Sequence, residues 1–483
     1  MIVLNFNYKR LFVSLLTIAL VSCTNSWDDR ENNGDANLSV TLNEAISNKA
    51  EVSQFGQLLV QTGYDKILAA SKTYTVFVPT NEAMDLVDDA ILDNPETAKK
   101  FVENHIALTA YSSIRTKAQE KVKMLGDKYL LFKGATMIDD ATIVTADHYA
   151  ANGVFHIINK ALTPKLNIWQ YINSKAGTSA MSDYLLSLKN INIYPGDAIA
   201  KANAVPGALA DSLTNSYLKN VYNLNNEKNS YTLFLMQDAG YSTEVDKMKP
   251  YSTVATPQGT SALASYFTVR DMAFPTAYEL NQLPATLTSR FGVEFAVDKT
   301  QIVGEPIHLS NGIVYIMKKV DVALTKRLLT TKIEGEKNNG GYIGTRNPIL
   351  YRDKIDPFGI LFNDVMVQTP ARAKFTLLYF ARDYMYSTKY KVYWRAINDQ
   401  SGTFQQQLGI GGNYDINTDN MVNIPAANLF PLTTIPSKNY DEVYLGEFTM
   451  ATAGNSDYIS LIGGATSTSA LTLDYLKFVP VLK

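Results

Sequence analysis

The chain has 483 residues, 46% of them hydrophobic and 19% charged, and a formal net charge of −2. That length holds about three domains of ordinary size, and the composition suits folded domains rather than a disordered chain. Near-neutrality leaves no global basic field for nucleic acid or an anionic membrane, and the single cysteine excludes an intrachain disulfide framework and a multi-cysteine metal site.

That cysteine, Cys23, follows Lys9 and Arg10, an apolar run over residues 11–21, and Ser22. A basic start, a short apolar stretch and a small residue before the cut are the parts of a secretory signal. The run is too short to span a bilayer as a mature helix. The layout resembles the bacterial lipoprotein leader. The resemblance implies a signal peptide over 1–22, lipid attachment at Cys23 and a flexible tether over 23–37, whose later part is polar and Asn-rich. Ser26-Trp27-Asp28-Asp29 resembles the acidic export signal of Bacteroidetes lipoproteins, which implies display on the outer face of the outer membrane.

The first folded segment is expected over 38–165. Leu42, Ile46, Phe55, Leu58 and Leu59 have the spacing of amphipathic helices. Tyr74, Val76 and Val78 alternate with Thr75 and Phe77, which predicts a strand with one strongly buried face. Pro79 ends it, and Thr80 or Asn81 caps a following helix. Asn152-Gly153 reads as a tight turn with positive φ angles before a strand. Three segments, Thr75 to Ala83, Asn104-His105 and Asn152 to Ile158, resemble in order and spacing the signatures of the fasciclin domain. The resemblance implies an α+β adhesive module without catalysis.

A divergent second copy is expected over 166–335. Tyr231 lies 157 residues after Tyr74 and Asn311 lies 159 after Asn152, whereas Ile172 lies only 126 after Ile46. An insertion of about 30 residues therefore falls within 190–229. Met236-Gln237-Asp238 replaces the Pro-Thr-Asn cap, and Phe267 or a neighbour stands where the histidine would be. Residues 334–341 read as a turn-rich linker. Beyond it, over 338–483, short alternating runs at 374–380, 390–396, 442–448, 458–462 and 471–481 predict an all-β antiparallel sandwich of jelly-roll type. The last run resembles the closing strand of galactose-binding-like and carbohydrate-binding sandwiches.

Catalytic and metal signals are sparse. His105, His148, His156 and His308 show no helical ligand spacing and read as structural. No Gly-x-Ser-x-Gly elbow occurs, and Gly409-Ile410-Gly411-Gly412 lacks the Lys-Ser/Thr of a phosphate loop. The reading is a non-catalytic protein with no cofactor and no metal. The lead is aromatic: of 29 tyrosines, Tyr379, Tyr384, Tyr386, Tyr390 and Tyr393 cluster with Trp394. Alternation puts Val392, Trp394 and Ala396 on the core face and Lys391, Tyr393 and Arg395 on the other. The expected ligand-binding residues are Tyr384, Tyr386 and Tyr393, with Lys391 and Arg395 (and Asp383) as hydrogen-bonding neighbours. The expected function is a lipid-anchored adhesion or glycan-binding protein, accessory to an outer-membrane glycan-uptake system. Its partners would be a glycan or a surface or matrix protein, with membrane contact through the lipid alone and no nucleic acid. The alternative is a structural or protein-interaction component of an envelope complex; a glycan-active enzyme is a third class.

Anchoring is expected to depend on Cys23, because each buried CH₂ of an acyl chain contributes about 0.8 kcal/mol. Cys23→Ala should release the protein from the membrane fraction or block its maturation; normal processing with full membrane retention refutes this.

Overall fold

The structure, a computed structural model, describes residues 39–69, 72–114, 119–189, 214–344, 349–368, 375–381, 384–464 and 470–483. The expected leader, Cys23, the tether, Asp383 and residues 190–213 of the expected insertion lie outside the described residues. Two compact units emerge. One takes the chain up to Ile168 with Leu224–Ser230 and Leu309–Asn311; the other takes Trp169–Asn223, Tyr231–His308 and Gly312–Lys483.

In the first unit a seven-stranded sheet has the order Ile106–Ala107, Tyr74–Pro79, Gly153–Ile158, Ala141–Ala150, Met137–Ile138, Tyr129–Phe132, Glu120–Lys123. Tyr74–Pro79 and Gly153–Ile158 pair in parallel, with Tyr74 opposite Gly153. The strand Tyr74–Pro79 is buried along its whole length rather than on one face. A parallel strand in mid-sheet is covered on both sides, which alternation alone does not reveal. Val76 and Val78 pack with Leu42, Ile46, Phe55, Leu59 and Phe101 from the helices. Phe77 packs with Val122, Phe132 and Ile158 on the opposite side. Thr80 caps the helix Asn81–Met84 as expected, its hydroxyl accepting from the Ala83 N–H at 3.2 Å.

The expected tight turn is present, as Ala151-Asn152 between the antiparallel strands Ala141–Ala150 and Gly153–Ile158, but its backbone differs from the expectation. Gly153 has φ 154°, but Asn152 is not among the positive-φ residues. A Cβ on Gly153 would stand 2.1 Å from the Tyr74 carbonyl oxygen, so the close parallel pairing demands glycine. Asn152 instead uses its side chain, accepting from the Leu42 N–H at 2.8 Å and donating to the Leu68 carbonyl at 2.6 Å.

The second copy reproduces these contacts. Asn311 accepts from the Ile168 N–H at 2.8 Å and donates to the Leu224 carbonyl at 2.8 Å. Gly312, at φ 149°, has the Tyr231 carbonyl oxygen 2.0 Å from where its Cβ would be. In the second unit Gly312–Met317 pairs in parallel with Tyr231–Met236, Gly312 opposite Tyr231. The Thr232 hydroxyl donates to Thr276 and accepts from the Tyr278 N–H, as Thr75 does with Thr109 and Tyr111. The two anchors of the asparagine lie 26 residues apart in the first copy (Leu42, Leu68) and 56 apart in the second (Ile168, Leu224). The extra residues therefore fall between Ile168 and Leu224, and the helix Ser216–Asn220 uses some of them. Phe77 donates to the His105 carbonyl and Phe234 to that of Met272. Met272, not Phe267, thus holds the histidine's place; Phe267 lies on the preceding helix Pro257–Val269.

The rest of the second unit is the antiparallel sandwich. One sheet has the order Thr331–Glu334, Tyr475–Pro480, Lys389–Arg395, Glu442–Thr449. A second has Gly341–Ile343, Thr376–Tyr379, Ile459–Gly463, Phe404–Ile410, Thr433–Ile435, and a third Ile349–Ile355, Leu361–Val367, Leu471–Leu473. Val392, Trp394, Leu408, Leu461, Leu471 and Phe478 fill the core between them. The expected linker is a turn inside this domain, because Thr331–Glu334 already pairs with Tyr475–Pro480. The expected single run 471–481 breaks at Asp474, where the chain passes from the third sheet to the first.

Two predictions follow from this packing. His105 is fully buried; Nδ1–H donates to the Phe101 carbonyl at 2.7 Å and Nε2 accepts from the Leu162 N–H at 2.9 Å. Burial pulls its pKa down to about 4, against the opposing pull of the Phe101 carbonyl. As pH falls the unfolded chain binds the proton first, so this stability is complete above pH ~6.5 and drains between there and about 4. Between pH 7 and 5 it should cost about 2 kcal/mol. Urea midpoints at the two pH values check this, and His105→Ala should show a visibly smaller drop. Separately, Gly153→Ala and Gly312→Ala should each destabilise the fold by about 2 kcal/mol or more, since backbone must move to admit the methyl. Denaturant melts in which either variant matches wild type contradict that account.

Candidate functional site

The outward face of the four-stranded sheet gathers polar and aromatic side chains in two rows. Strand register sets one row as Glu334, Tyr475, Arg395, Glu442 and the next as Lys332, Lys477, Tyr393, Tyr444. The alternate residues Ile333, Leu476, Val392 and Trp394 face the core. Adjacent strands lie about 4.8 Å apart and the rows about 7 Å apart, so the face is about 14 Å across.

Contacts within the rows are dense. The rings of Tyr393 and Tyr444 stand 5.3 Å apart. Lys477 lies 4.8 Å from the Tyr393 ring centre and pairs with Glu442 at 2.5 Å. Lys332 lies 4.1 Å from the Tyr475 ring centre and pairs with Glu334 at 3.2 Å. The Tyr475 hydroxyl donates to Glu442 at 2.9 Å. Burial first, and then that carboxylate, push its pKa up to about 12, so it remains a donor at neutral pH.

Of the expected ligand-binding residues, all but Asp383 lie among the described residues. Tyr393 lies on this face, half-buried, and Lys391 is exposed on the same strand, opposite Val479 and Glu447. Arg395 lies on the face too, but all three of its nitrogens are engaged. Nη1 pairs with Asp474 at 2.6 Å, Nη2 with Asp356 at 2.8 Å, and Nε donates to the Tyr440 carbonyl at 2.8 Å. Burial would lower its pKa, but the two carboxylates outweigh that and raise it. Tyr384 is 54% exposed and lies ahead of the strand, its ring 6.5 Å from that of Phe267.

Tyr386 contradicts the expectation of an exposed ring. It is 3% exposed, and its hydroxyl donates to the Arg327 carbonyl at 3.0 Å and accepts from Arg270 at 3.3 Å. Shared parity with Tyr384 carries no facing information because residues 384–388 are not a strand. Sequence reasoning missed Tyr444, Tyr475, Lys477 and Glu442. Alternation within 442–448 and 475–480 marks them as outward, but the pairing that unites them with Tyr393 is long-range.

Beside Tyr475 the face opens into a cleft of about 500 Å³. It is lined by Lys332, Glu334, Arg395, Asp474 and Tyr475 on the sheet side and by Ile360, Leu361 and Asn363 on the other. Among the described residues no group of three or more His, Cys, Asp or Glu side chains could hold a metal ion.

Comparison with known proteins places the first unit. Protein sll1483 of Synechocystis is 29% identical over 108 residues, 20% of this chain; the match spans 59% of that relative's length. The FAS1 domain pair of the insect cell adhesion molecule Fasciclin I aligns at 16% identity over 58% of this chain and 99% of its own, with a TM-score of 0.24. The CBM36-1 domain of a xylanase from the hindgut metagenome of Trinervitermes trinervoides aligns at 15% identity over 32% of this chain and 100% of its own, with a TM-score of 0.22. The C-terminal CBM6 of LamC from Zobellia galactanivorans aligns at 11% identity over 31% of this chain and 99% of its own, with a TM-score of 0.19. Residues 50–164 match the Fasciclin domain family, and that segment, with its ordered signatures and its parallel strand pair, is a Fasciclin domain.

Proposed function

We propose that this chain is a non-catalytic, lipid-anchored surface protein that binds glycan through the outward face of its sandwich. In this reading Cys23 carries the lipid at the outer membrane, and the protein is accessory to glycan uptake. The Fasciclin domain fits a binding role. The observation that carries the glycan reading is the composition of the face. Three tyrosines lie within two rows among hydrogen-bonding groups, while the cations are paired with carboxylates. Sugar rings need both an apolar surface for their C–H faces and hydrogen-bonding partners for their hydroxyls, and such mixed lining is the usual make-up of a ligand site.

Tyr444, 50% exposed, carries the most open ring. In a glycan-array screen followed by calorimetry, Tyr444→Ala should weaken a bound glycan roughly five- to thirty-fold, as removal of an aromatic anchor does, and leave thermal stability almost unchanged. Trp394→Ala should behave in the opposite way, destabilising by about 3 to 5 kcal/mol as an emptied core site does. Glycan binding indifferent to Tyr444, Tyr393 and Tyr475 together would place the site off this face and sink the reading.

A further inference from the structure

The hairpin of Ile349–Ile355 and Leu361–Val367 ends in a tip that exposes apolar side chains: Ile355 at 67%, Phe358 at 77%, Ile360 at 58% and Leu361 at 67%. Contiguous exposed apolar groups mark interaction sites more often than isolated ones do. This tip is also held in a fixed attitude. Asp356 accepts from the N–H groups of Phe358 and Ile360, both at 2.9 Å, through one carboxylate oxygen, and takes Arg395 Nη2 on the other at 2.8 Å. Arg395 holds Asp474 with Nη1, and its guanidinium stands 5.4 Å from the ring of Phe362. One arginine on the tyrosine-bearing strand therefore ties together the tip, the returning strand just beside it and the crossover between sheets. Ile360 and Leu361 then form a side of the same cleft that Tyr475 and Glu334 bound from the sheet.

We propose that Ile360 and Leu361 are a second, apolar wall of the glycan site, and that Arg395 is the positioning residue that sets this wall opposite Tyr475. The inference rests on the glycan reading of the sheet face. The ligand it implies is an uncharged oligosaccharide long enough to run from the tyrosine rows into the cleft. One sugar would lie with its C–H face on Ile360 and Leu361 and its hydroxyls toward Glu334, Asn363 and Lys332. An anionic sugar is disfavoured because Lys332 and Arg395 already hold carboxylate partners and Glu334, Glu336 and Asp474 line the cleft beside Lys337.

The test uses the full chain and two probe sets, neutral hexasaccharides of β-1,4- and β-1,3-linked glucose and xylose and the matching disaccharides. Ile360→Ser and Leu361→Ser alter exposed side chains and should leave the melting temperature unchanged. Each should weaken the retained hexasaccharide about five- to tenfold, with a smaller effect on a disaccharide. Arg395→Gln should weaken it similarly and, in addition, speed hydrogen exchange at the amides of Phe358 and Ile360; Arg395→Lys should restore part of both. Affinity lost without faster exchange at the tip overturns the positioning role. Hexasaccharide binding that needs Tyr444 but ignores Ile360 and Leu361 overturns the wall alone. A wild-type chain that binds none of the probes overturns the glycan reading and the wall with it.

Discussion

Two strands that pair in parallel cannot be joined by a tight turn, because the chain must travel back along their full length before the second begins. In both repeats the second strand is entered through a two-residue turn, Ala151-Asn152 and Ser310-Asn311, from the strand on its other side, and the chain leading to the first strand must be tied to that turn from elsewhere. Asn152 and Asn311 meet that constraint. Each accepts from the first backbone N–H of a helix and donates to a carbonyl far away in sequence. The following glycine lets the backbone pass the partner strand at a distance that a Cβ would forbid. The helix start, the strand entry and the connection before the first strand are thereby fixed to one side chain. An insertion between the anchors leaves this junction intact, since neither anchor moves relative to the asparagine. Loop length is thermodynamically inexpensive in comparison.

The second unit adds a buried ionic lock. Glu244 and Arg327, each 1% exposed, pair at 3.0 Å, and Arg327 also donates to the Thr268 hydroxyl. Removing Glu244 strands the buried Arg327 charge, at a cost of about 3 to 5 kcal/mol, whereas Glu244 has a second partner in Lys247 at 2.5 Å. Tyr386 belongs to this lock, since its hydroxyl bridges the Arg327 carbonyl and Arg270. Its burial is therefore a demand of the polar network: Arg270 and the Arg327 carbonyl need a partner reaching in from the sandwich.

Local signals made much of this architecture legible. The Thr75-to-Ala83 segment, Asn152-Gly153 and the nearly equal offsets of their counterparts defined the first repeat and exposed the second. The same alternation sorted Val392 and Trp394 inward from Lys391 and Tyr393 outward, and the structure agrees. Failures arose where facing depends on partners distant in the chain. Tyr74–Pro79 is covered on both sides because the helices close over one face and side chains of other strands, Val122 and Phe132 among them, close over the other, which a period of two does not report. Tyr386 follows no strand geometry, and its fate is set by arginines more than fifty residues earlier. Tyr444 and Tyr475 join Tyr393 only through cross-strand register, which no single segment encodes.

The rings on the sheet face are not equivalent, and their own lysines decide how. A cation over an exposed aromatic ring is held by about 0.5 to 1 kcal/mol. Lys332 stands over Tyr475 and Lys477 over Tyr393, and each lysine is further held by a carboxylate. A ligand stacking on either ring must first displace a lysine from two attractions at once. Tyr444 carries no such cover from these two lysines, and its exposure is the greatest of the three. Tyr475 contributes differently: its hydroxyl is committed to Glu442, and the residue lines the cleft together with Glu334 and Asp474. In the proposed glycan reading the face thus offers a stacking end at Tyr444 and a hydrogen-bonding end at the cleft. Arg395 stands in the row between Tyr475 and Glu442 and is fully occupied in holding structure. A ligand that satisfies both ends must itself be apolar on one part of its surface and hydroxylated on another, which a chain of neutral sugars is and a simple ion is not.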